Sequence, residues 1–245
     1  MEGEKGFIQV PIALLKDIFW NKYSAINKMI DFGVYHYMKT QEKDLEETCK
    51  DLDLQLFIED DAKEKYNRIV QEIGQRPVLP MAYMSKLIDF RDSEKSDYEL
   101  RQFAFYMGIR SILGIKPHVK TNKEMIVARA FGYRNTAEFK NDLKSRYFDR
   151  EKRAYMEKYS KRYHVDKILL ELQFSWHTLI YARNMRGMII GNKAKTTLNE
   201  MALYAKKAER LSKLNELKNS LIEAEKNVNE QLKKEQHHNS TITAP

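Results

Sequence analysis

Residues 120–144 read Lys120-Thr-Asn-Lys-Glu-Met-Ile-Val-Ala-Arg-Ala-Phe-Gly-Tyr-Arg-Asn-Thr-Ala-Glu-Phe-Lys-Asn-Asp-Leu-Lys144, and this stretch decides the fold. Thr121 or Asn122 can cap a short helix over 123–131, because a side-chain oxygen there accepts a hydrogen bond from a free N–H of the first turn. Gly132 permits the positive backbone angle that a tight turn requires. The stretch therefore predicts a helix that ends in a glycine turn.

A second helix is predicted directly after this turn. Asn135 or Thr136 can cap it. Apolar side chains of the two helices are then able to pack together, namely Ile126, Val127, Ala130, Tyr133, Phe139 and Leu143. Ala128 is small enough to let the first helix approach a neighbour closely. Two helices joined by a glycine-containing turn form a helix-turn-helix.

The predicted second helix presents a hydrogen-bonding surface, on which Arg134, Asn135, Thr136, Glu138, Lys140 and Asn141 are exposed. A helix of this kind lies in the major groove of DNA with its first residues nearest the base edges, so Arg134 is a candidate for guanine and Asn135 for adenine. Surrounding cations would contact phosphates. The full candidate nucleic-acid-binding set is Lys120, Thr121, Lys123, Arg129, Arg134, Asn135, Thr136, Lys140, Lys144 and Arg146, and Arg150, Lys152 and Arg153 extend it.

Residues 120–148 resemble the helix-turn-helix of AraC-type regulators, in which a small residue, a glycine and two aromatic residues recur at set spacing. The matching residues are Ala128, Gly132, Tyr133, Phe139, Leu143 and Lys144. The resemblance implies sequence-specific DNA binding. The chain departs from that family because it carries no clear second copy of the motif and no recognisable sensor domain. The alternative is that the helix pair is ordinary domain architecture whose charges only solvate it.

Charge is segregated along the chain, whose formal net charge is +8. Residues 41–64 contain ten acids and three lysines, whereas residues 116–167 contain fifteen Lys or Arg residues and seven acids. Local clustering of cations attracts a polyanion more than the total charge does. The basic window suggests a nucleic-acid partner, although two well-solvated surfaces are an equally simple interpretation.

Composition favours an all-α, mainly helical protein with one or two domains, because Gly and Pro together make only 14 of 245 residues. No apolar run is long enough for a membrane span, and the N-terminus is too polar for a signal peptide. The single cysteine, Cys49, fits a reducing compartment. We therefore expect a cytoplasmic protein with no membrane contact.

Other helices are predicted over 24–39, with an interruption at Gly33, over 62–74, from about Tyr98 to Ile112 with Ser96 or Asp97 as cap, and over 166–183. Residues 6–10 predict a short strand or arm. Residues 185–193 predict a short β-hairpin or wing. The expected organisation is an N-terminal helical region over 1–75 and a central basic domain over 76–192. A long C-terminal helix over 193–236 and a flexible tail over 237–245 follow.

The long helix is predicted from Leu198 to Lys234, because no Gly or Pro interrupts it. Leu214, Leu221 and Val228 recur every seven residues, and Leu217 and Ala224 are offset by three, which is the spacing of a coiled-coil seam. Leu214, Leu217, Leu221 and Val228 are therefore candidate interface residues. They predict a homo-oligomer or a protein partner bound through this helix.

Catalytic and metal-binding motifs are weak, so we expect no enzyme, no cofactor and no metal site. The acids Glu59, Asp60 and Asp61 lack a second acidic cluster, and His36 is interpreted as a packing residue. The tail pair His237 and His238 offers no preorganised metal site. The tyrosines at 155, 159 and 163 and Trp176 are interpreted as core residues rather than stacking platforms for bases.

Two functions are therefore expected. The first is a DNA-binding replication or regulatory factor of a bacterium, a phage or another mobile element, and residues 7–15 are faintly similar to the N-terminus of phage replication-organiser proteins. The second is a non-enzymatic phage assembly protein, such as a helical adaptor or ring subunit of the virion, whose C-terminal helix and tail bind neighbouring subunits.

Overall fold

The fold is mainly helical, as the composition predicts. A computed structural model describes residues 6–52, 54, 62–74, 78–176, 178–182 and 187–242. Its α-helices are α1 (Lys22–Gln41), α2 (Leu45–Leu52), α3 (Ala62–Ile73), α4 (Met84–Asp92), α5 (Asp97–Leu113), α6 (Lys123–Ala130), α7 (Thr136–Lys144), α8 (Arg150–Tyr159), α9 (Arg162–Ser175) and α10 (Leu198–Ile242). A 3-10 helix covers Ile12–Asp17.

Two small antiparallel sheets accompany the helices. The strands are β1 (Phe7–Gln9), β2 (Met81–Tyr83), β3 (His118–Thr121), β4 (Thr178–Ala182) and β5 (Met188–Asn192). β1 pairs with β2, and the other three strands are ordered β3-β5-β4. Thr121 and Ala182 both lie opposite Met188, so the end of β3 and the end of β4 flank the start of β5. This edge of the sheet adjoins the start of α6.

The chain divides into two compact units, Met1–Thr197 and Leu198–Pro245. The first unit has one hydrophobic core, whose buried side chains come from the whole segment between β1 and β5. These side chains lie on both sides of the domain boundary predicted near residue 75, so the core does not divide there. α5 lies at its centre, where Phe103, Ala104, Phe105, Met107 and Ile109 are fully buried. The second unit is the single helix α10, which covers the predicted range 198–234 and continues to Ile242.

Helix α5 confirms the sequence prediction at its beginning. Ser96 caps it, and the backbone N–H of Glu99 donates to the Ser96 hydroxyl while the Glu99 carboxylate accepts from the Ser96 N–H. This reciprocal capping box satisfies two backbone donors that the first turn of a helix leaves free. The short strand predicted near residues 6–10 is also present, as β1.

Two predictions in this unit are wrong. α1 is continuous through Gly33, because the missing side chain there makes room for Ile8 of β1, with which a Cβ would overlap. The helix predicted over 166–183 ends at Ser175, and Thr178–Ala182 forms β4 instead. The run Thr178-Leu-Ile-Tyr is rich in β-formers, and pairing with β5 satisfies its backbone. The hairpin predicted within 185–193 is present only in part, because Met188–Asn192 is a single strand, β5, whose partners β3 and β4 come from other segments. Residues 183–186, between β4 and β5, lie outside the described residues.

Candidate nucleic-acid interface

Two short helices joined by a turn, α6 and α7, lie where the sequence predicts a helix-turn-helix. The Asn122 side chain caps α6 by accepting from the Met125 N–H at 2.8 Å, and the Asn135 side chain caps α7 by accepting from the Glu138 N–H at 2.9 Å. Gly132 has a φ of +81°, and the N–H of Tyr133 donates to the carbonyl of Ala128 at 2.9 Å. Each cap and the glycine turn therefore lie where the sequence predicts them.

The turn is packed against the N-terminal segment of the chain. A Cβ on Gly132 would lie 2.7 Å from the Lys16 backbone nitrogen and 2.9 Å from the Ile12 carbonyl oxygen. Such distances are shorter than van der Waals contact, so only glycine fits between the turn and the 3-10 helix. The relation between α6 and α7 is therefore fixed by the core and not by the turn alone.

Aromatic rings hold α7 against this core. The ring of Phe139 stacks on Phe131 with centroids 5.8 Å apart, and it meets Tyr133 edge-on at 5.2 Å. The Lys16 ammonium lies 4.1 Å from the centroid of the Tyr133 ring. Burial and a hydrogen bond to Asp142 raise the pKa of Tyr133 above its usual range, so this phenol stays neutral.

α6 is held from its other side by α5. Ala128 is fully buried, and a Cβ on Gly108 of α5 would lie 2.9 Å from the Ala130 nitrogen. The close approach expected from the small side chain of Ala128 is thus matched by a glycine on the neighbouring helix. The helix pair is one wall of the main core.

The candidate residues fall into three groups by exposure. The exposed ones are Lys120, Arg134, Lys140, Lys144 and Arg146. The half-buried ones are Thr121, Lys123, Asn135 and Thr136. Arg129 forms the third group, because its Nε and Nη1 atoms are buried and have no hydrogen-bond partner among the described residues.

The guanidinium of Arg129 therefore faces protein. Burial lowers its pKa, while the nearby Glu138 carboxylate raises it and the Arg134 cation lowers it. Because two of its guanidinium nitrogens are buried, Arg129 is less accessible to a phosphate than the exposed candidates. The sequence shows only that Arg129 is a cation in the first helix. That pattern does not indicate whether the side chain points to solvent or into the protein.

The side chain of Asn135 is already occupied. Its amide oxygen caps α7, its amide nitrogen donates to Glu138 Oε1 at 2.9 Å, and Glu138 Oε2 accepts from the Arg134 N–H at 3.1 Å. A bidentate contact from Asn135 to adenine would have to replace these bonds. The side chain of Arg134 is exposed next to them and is the better placed of the two for a base edge.

Ion pairs across helices were not readable from the sequence. Lys140 of α7 pairs with Glu124 of α6 at 2.7 Å, and Lys123 of α6 pairs with Asp166 of α9. The partners lie 16 and 43 positions apart along the chain, so no local pattern indicates them. They tie the faces of α6, α7 and α9 together at the surface.

The basic extension beyond α7 is only partly available to a ligand. Arg153 donates to the carbonyls of Ser145 and Phe148 and so holds the α7–α8 link, and Lys152 lies 3.8 Å from Asp17. Arg150 is exposed. Of these three residues, Arg150 remains the simplest candidate for a phosphate contact.

The remaining sequence candidates have structural environments. His36 lies 3.1 Å from Gln9 Oε1 and stacks on Phe32, and burial lowers its pKa. Tyr155 donates to Asp97, and burial raises its pKa to about 12. Tyr163 differs from the expectation, because it is 73% exposed. Residues 59–61 and the side chains at 237 and 238 lie outside the described part.

The candidate interface of α10 is exposed within its own unit. Leu214, Leu217 and Leu221 are 54%, 61% and 64% exposed, and the side chain of Val228 is not among those described. Within the described residues, no helix is long and apolar enough to cross a membrane, and no three His, Cys, Asp or Glu side chains are grouped as metal ligands.

Comparisons of the chain with protein-family models, with curated proteins and with solved structures found no match.

Proposed function

We propose that this protein binds double-stranded DNA by placing α7 in the major groove, as a cytoplasmic replication or regulatory factor of a bacterium, a phage or another mobile element. The observation that carries the proposal is the polar surface of α7, which exposes Lys140, Asn141 and Lys144 on a helix packed against the core, with Arg134 exposed just before its cap. A rigid helix with an exposed polar face is what direct reading of base edges requires.

The dimensions of α7 fit this role. It has nine residues, so it is about 13 Å long, and its diameter with side chains, about 10–12 Å for an α-helix, fits the roughly 12 Å width of the major groove. Arg134, exposed two residues before α7 begins, has the donor geometry that pairs with guanine O6 and N7. Lys144, the last residue of α7, is a candidate for a phosphate contact.

The acids on this face provide a second argument. Glu124 neutralises Lys140, and Glu138 lies next to Arg134, so the surface is not a uniform cationic patch. Alternating signs weaken non-specific attraction and leave hydrogen-bonding groups to discriminate between bases. A site of this composition supports sequence-selective binding more than binding by charge alone.

Arg134→Ala and Lys144→Ala are expected to differ in kind. Loss of Arg134 should cost about 1–3 kcal/mol on a selected duplex and little on random DNA, because it removes a base contact. Loss of Lys144 should weaken both and reduce the salt slope by about one unit. Fluorescence anisotropy on a selected site and on a random duplex measures both effects.

Lys63→Ala is the matched control, since Lys63 is an exposed lysine on α3, outside the basic window. It should leave both affinities unchanged. Equal effects of Arg134→Ala on the two duplexes would reduce the contact to electrostatics. No effect of either α7 variant would mean that the helix pair is structural only.

A second candidate function is assembly through α10. The specific observation is that this 45-residue helix exposes eight large apolar side chains among those described, Leu198, Leu203, Tyr204, Leu211, Leu214, Leu217, Leu221 and Ile222. An apolar stripe of this length on a helix is typical of a surface that binds another helix. It supports a homo-oligomer or a protein partner, as in an adaptor or ring subunit of a phage particle.

Replacing Leu214 and Leu221 together by lysine is expected to disrupt self-association, because charges would lie in the seam. Light scattering of the variant should give a smaller mass than the unaltered protein, with the melting of the first unit unchanged. The control is Ser212→Lys with Asn219→Lys, which adds the same charge to the opposite face of α10. Equal masses for both double variants would contradict an interface along this seam.

A further inference from the structure

A cleft of about 770 Å³ opens in the first unit among α6, α7, the start of α9 and the start of β5. Its volume lies in the range of pockets that hold small organic ligands, roughly 300–1,000 Å³. The residues that build it come from four separate elements. It is therefore a product of the tertiary fold and not of one helix end.

The inner wall of the cleft is apolar. It is formed by the side chains Val127, Phe139, Leu143, Val165 and Met188. Four of these are buried in the core cluster, so they are held in place by packing behind them. A wall of this kind favours the aliphatic or aromatic body of a ligand.

The mouth of the cleft is cationic. Lys123, Lys140 and Arg162 line it, against the single lining carboxylate of Glu124. Glu124 pairs with Lys140, whereas Lys123 and Arg162 both bind the one carboxylate of Asp166. Two cations that share one carboxylate leave one positive charge uncompensated at the mouth, and the Arg162 side chain is 87% exposed there. The hydroxyls of Thr136 and Ser160 also line the cleft.

We propose that the cleft binds an amphipathic organic anion, with an aliphatic or aromatic body on the apolar wall and a carboxylate or sulfonate at Arg162 and Lys123. A neutral apolar molecule would leave the positive mouth unpaired, and an organic cation would be repelled by it. The anion is expected to oppose DNA binding, because Lys123, Thr136 and Lys140 belong to both sites. This regulatory part rests on the proposed function, whereas the anion site does not.

The probes are 8-anilinonaphthalene-1-sulfonate, whose fluorescence rises in an apolar site, and decanoate, which should displace it. One probe should bind per chain with near-UV circular dichroism unchanged, since a loosened core would also bind the dye. Decanoate should displace it at least about tenfold more tightly than decanol, because only the acid has a charge-assisted hydrogen bond to gain. Equal displacement by decanol, or no displacement by decanoate, would overturn the proposal.

Variants locate the anion. Arg162→Gln should weaken decanoate about tenfold, the loss expected for one charged contact. Lys123→Gln should act in the same direction, and Lys63→Gln on the far helix α3 should change nothing. Decanoate affinity that is the same in all three variants would place the dye elsewhere and overturn the site.

Duplex DNA decides the regulatory part. Decanoate at about three times its Kd for the unaltered protein should lower the affinity of that protein for DNA about fourfold. The same concentration should lower the DNA affinity of Arg162→Gln only about 1.3-fold, because this variant binds decanoate about tenfold more weakly. DNA affinity that is unchanged when decanoate is bound would overturn the regulation. If the protein binds decanoate but not DNA, the proposed function is refuted, and the regulation with it. The anion site would still be established by the displacement data.

Discussion

Replacing Gly132 by valine is expected to destabilise the first unit by about 2–6 kcal/mol and to abolish DNA binding. Two costs add. A β-branched residue at a φ of +81° is strained by about 1–3 kcal/mol, and forcing its side chain between the Lys16 nitrogen and the Ile12 carbonyl costs a further 1–3 kcal/mol or so. Urea unfolding followed by circular dichroism measures the loss.

Gly74→Val separates the two costs. Gly74 has a φ of +73°, and a Cβ there would meet no atom of the described residues within 4 Å. This variant should lose only the backbone contribution, about 1–3 kcal/mol, and keep its DNA affinity. Similar losses in the two variants would mean that the turn is not wedged against the 3-10 helix as described.

DNA affinity is expected to fall roughly five hundredfold between 50 and 200 mM salt. Lys120, Lys140, Lys144, Arg146 and Arg150 are exposed in the basic window, besides Arg134, which is assigned to a base edge. About five phosphate contacts imply a slope of roughly −4.5 in a plot of log affinity against log salt, because each neutralised phosphate releases condensed counterions. Anisotropy titrations at four or five salt concentrations give the slope directly.

A slope near zero would contradict this prediction, since binding without counterion release would not involve the basic window. A slope near −10 would require cations beyond those exposed around α7. The measured value thus counts the contacts independently of any assumption about the DNA sequence.

The sequence predicted local features well. The caps of α6 and α7, the glycine turn and the Ser96 cap of α5 depend on residues within four positions of each other, and the patterns for them are strong. Long-range contacts were missed because their partners lie far apart along the chain, where no local pattern connects them. The Lys123–Asp166 pair, and the wedge of Gly132 against Ile12, join segments more than forty residues apart.

Apolar runs were the other source of error. Residues 166–183 are rich in Leu and Ile throughout, and the change from helix to strand after Ser175 depends on the pairing of β4 with β5. The environment of a charged residue is also hard to predict from the sequence, as Arg129 shows. The burial of its Nε and Nη1 atoms depends on the packing of α6 and α7 and not on its neighbours in the sequence.

Photo-cross-linking from α7 to duplex DNA tests the central claim most directly. A benzoylphenylalanine in place of Asn141, on the exposed face of α7, is predicted to cross-link to duplex DNA at low salt, and one in place of Lys63 on α3 is predicted not to. The adduct from position 141 should disappear when unlabelled DNA competes. Equal cross-linking from both positions, or none from 141 while the protein binds DNA, would contradict the placement of α7 in the groove.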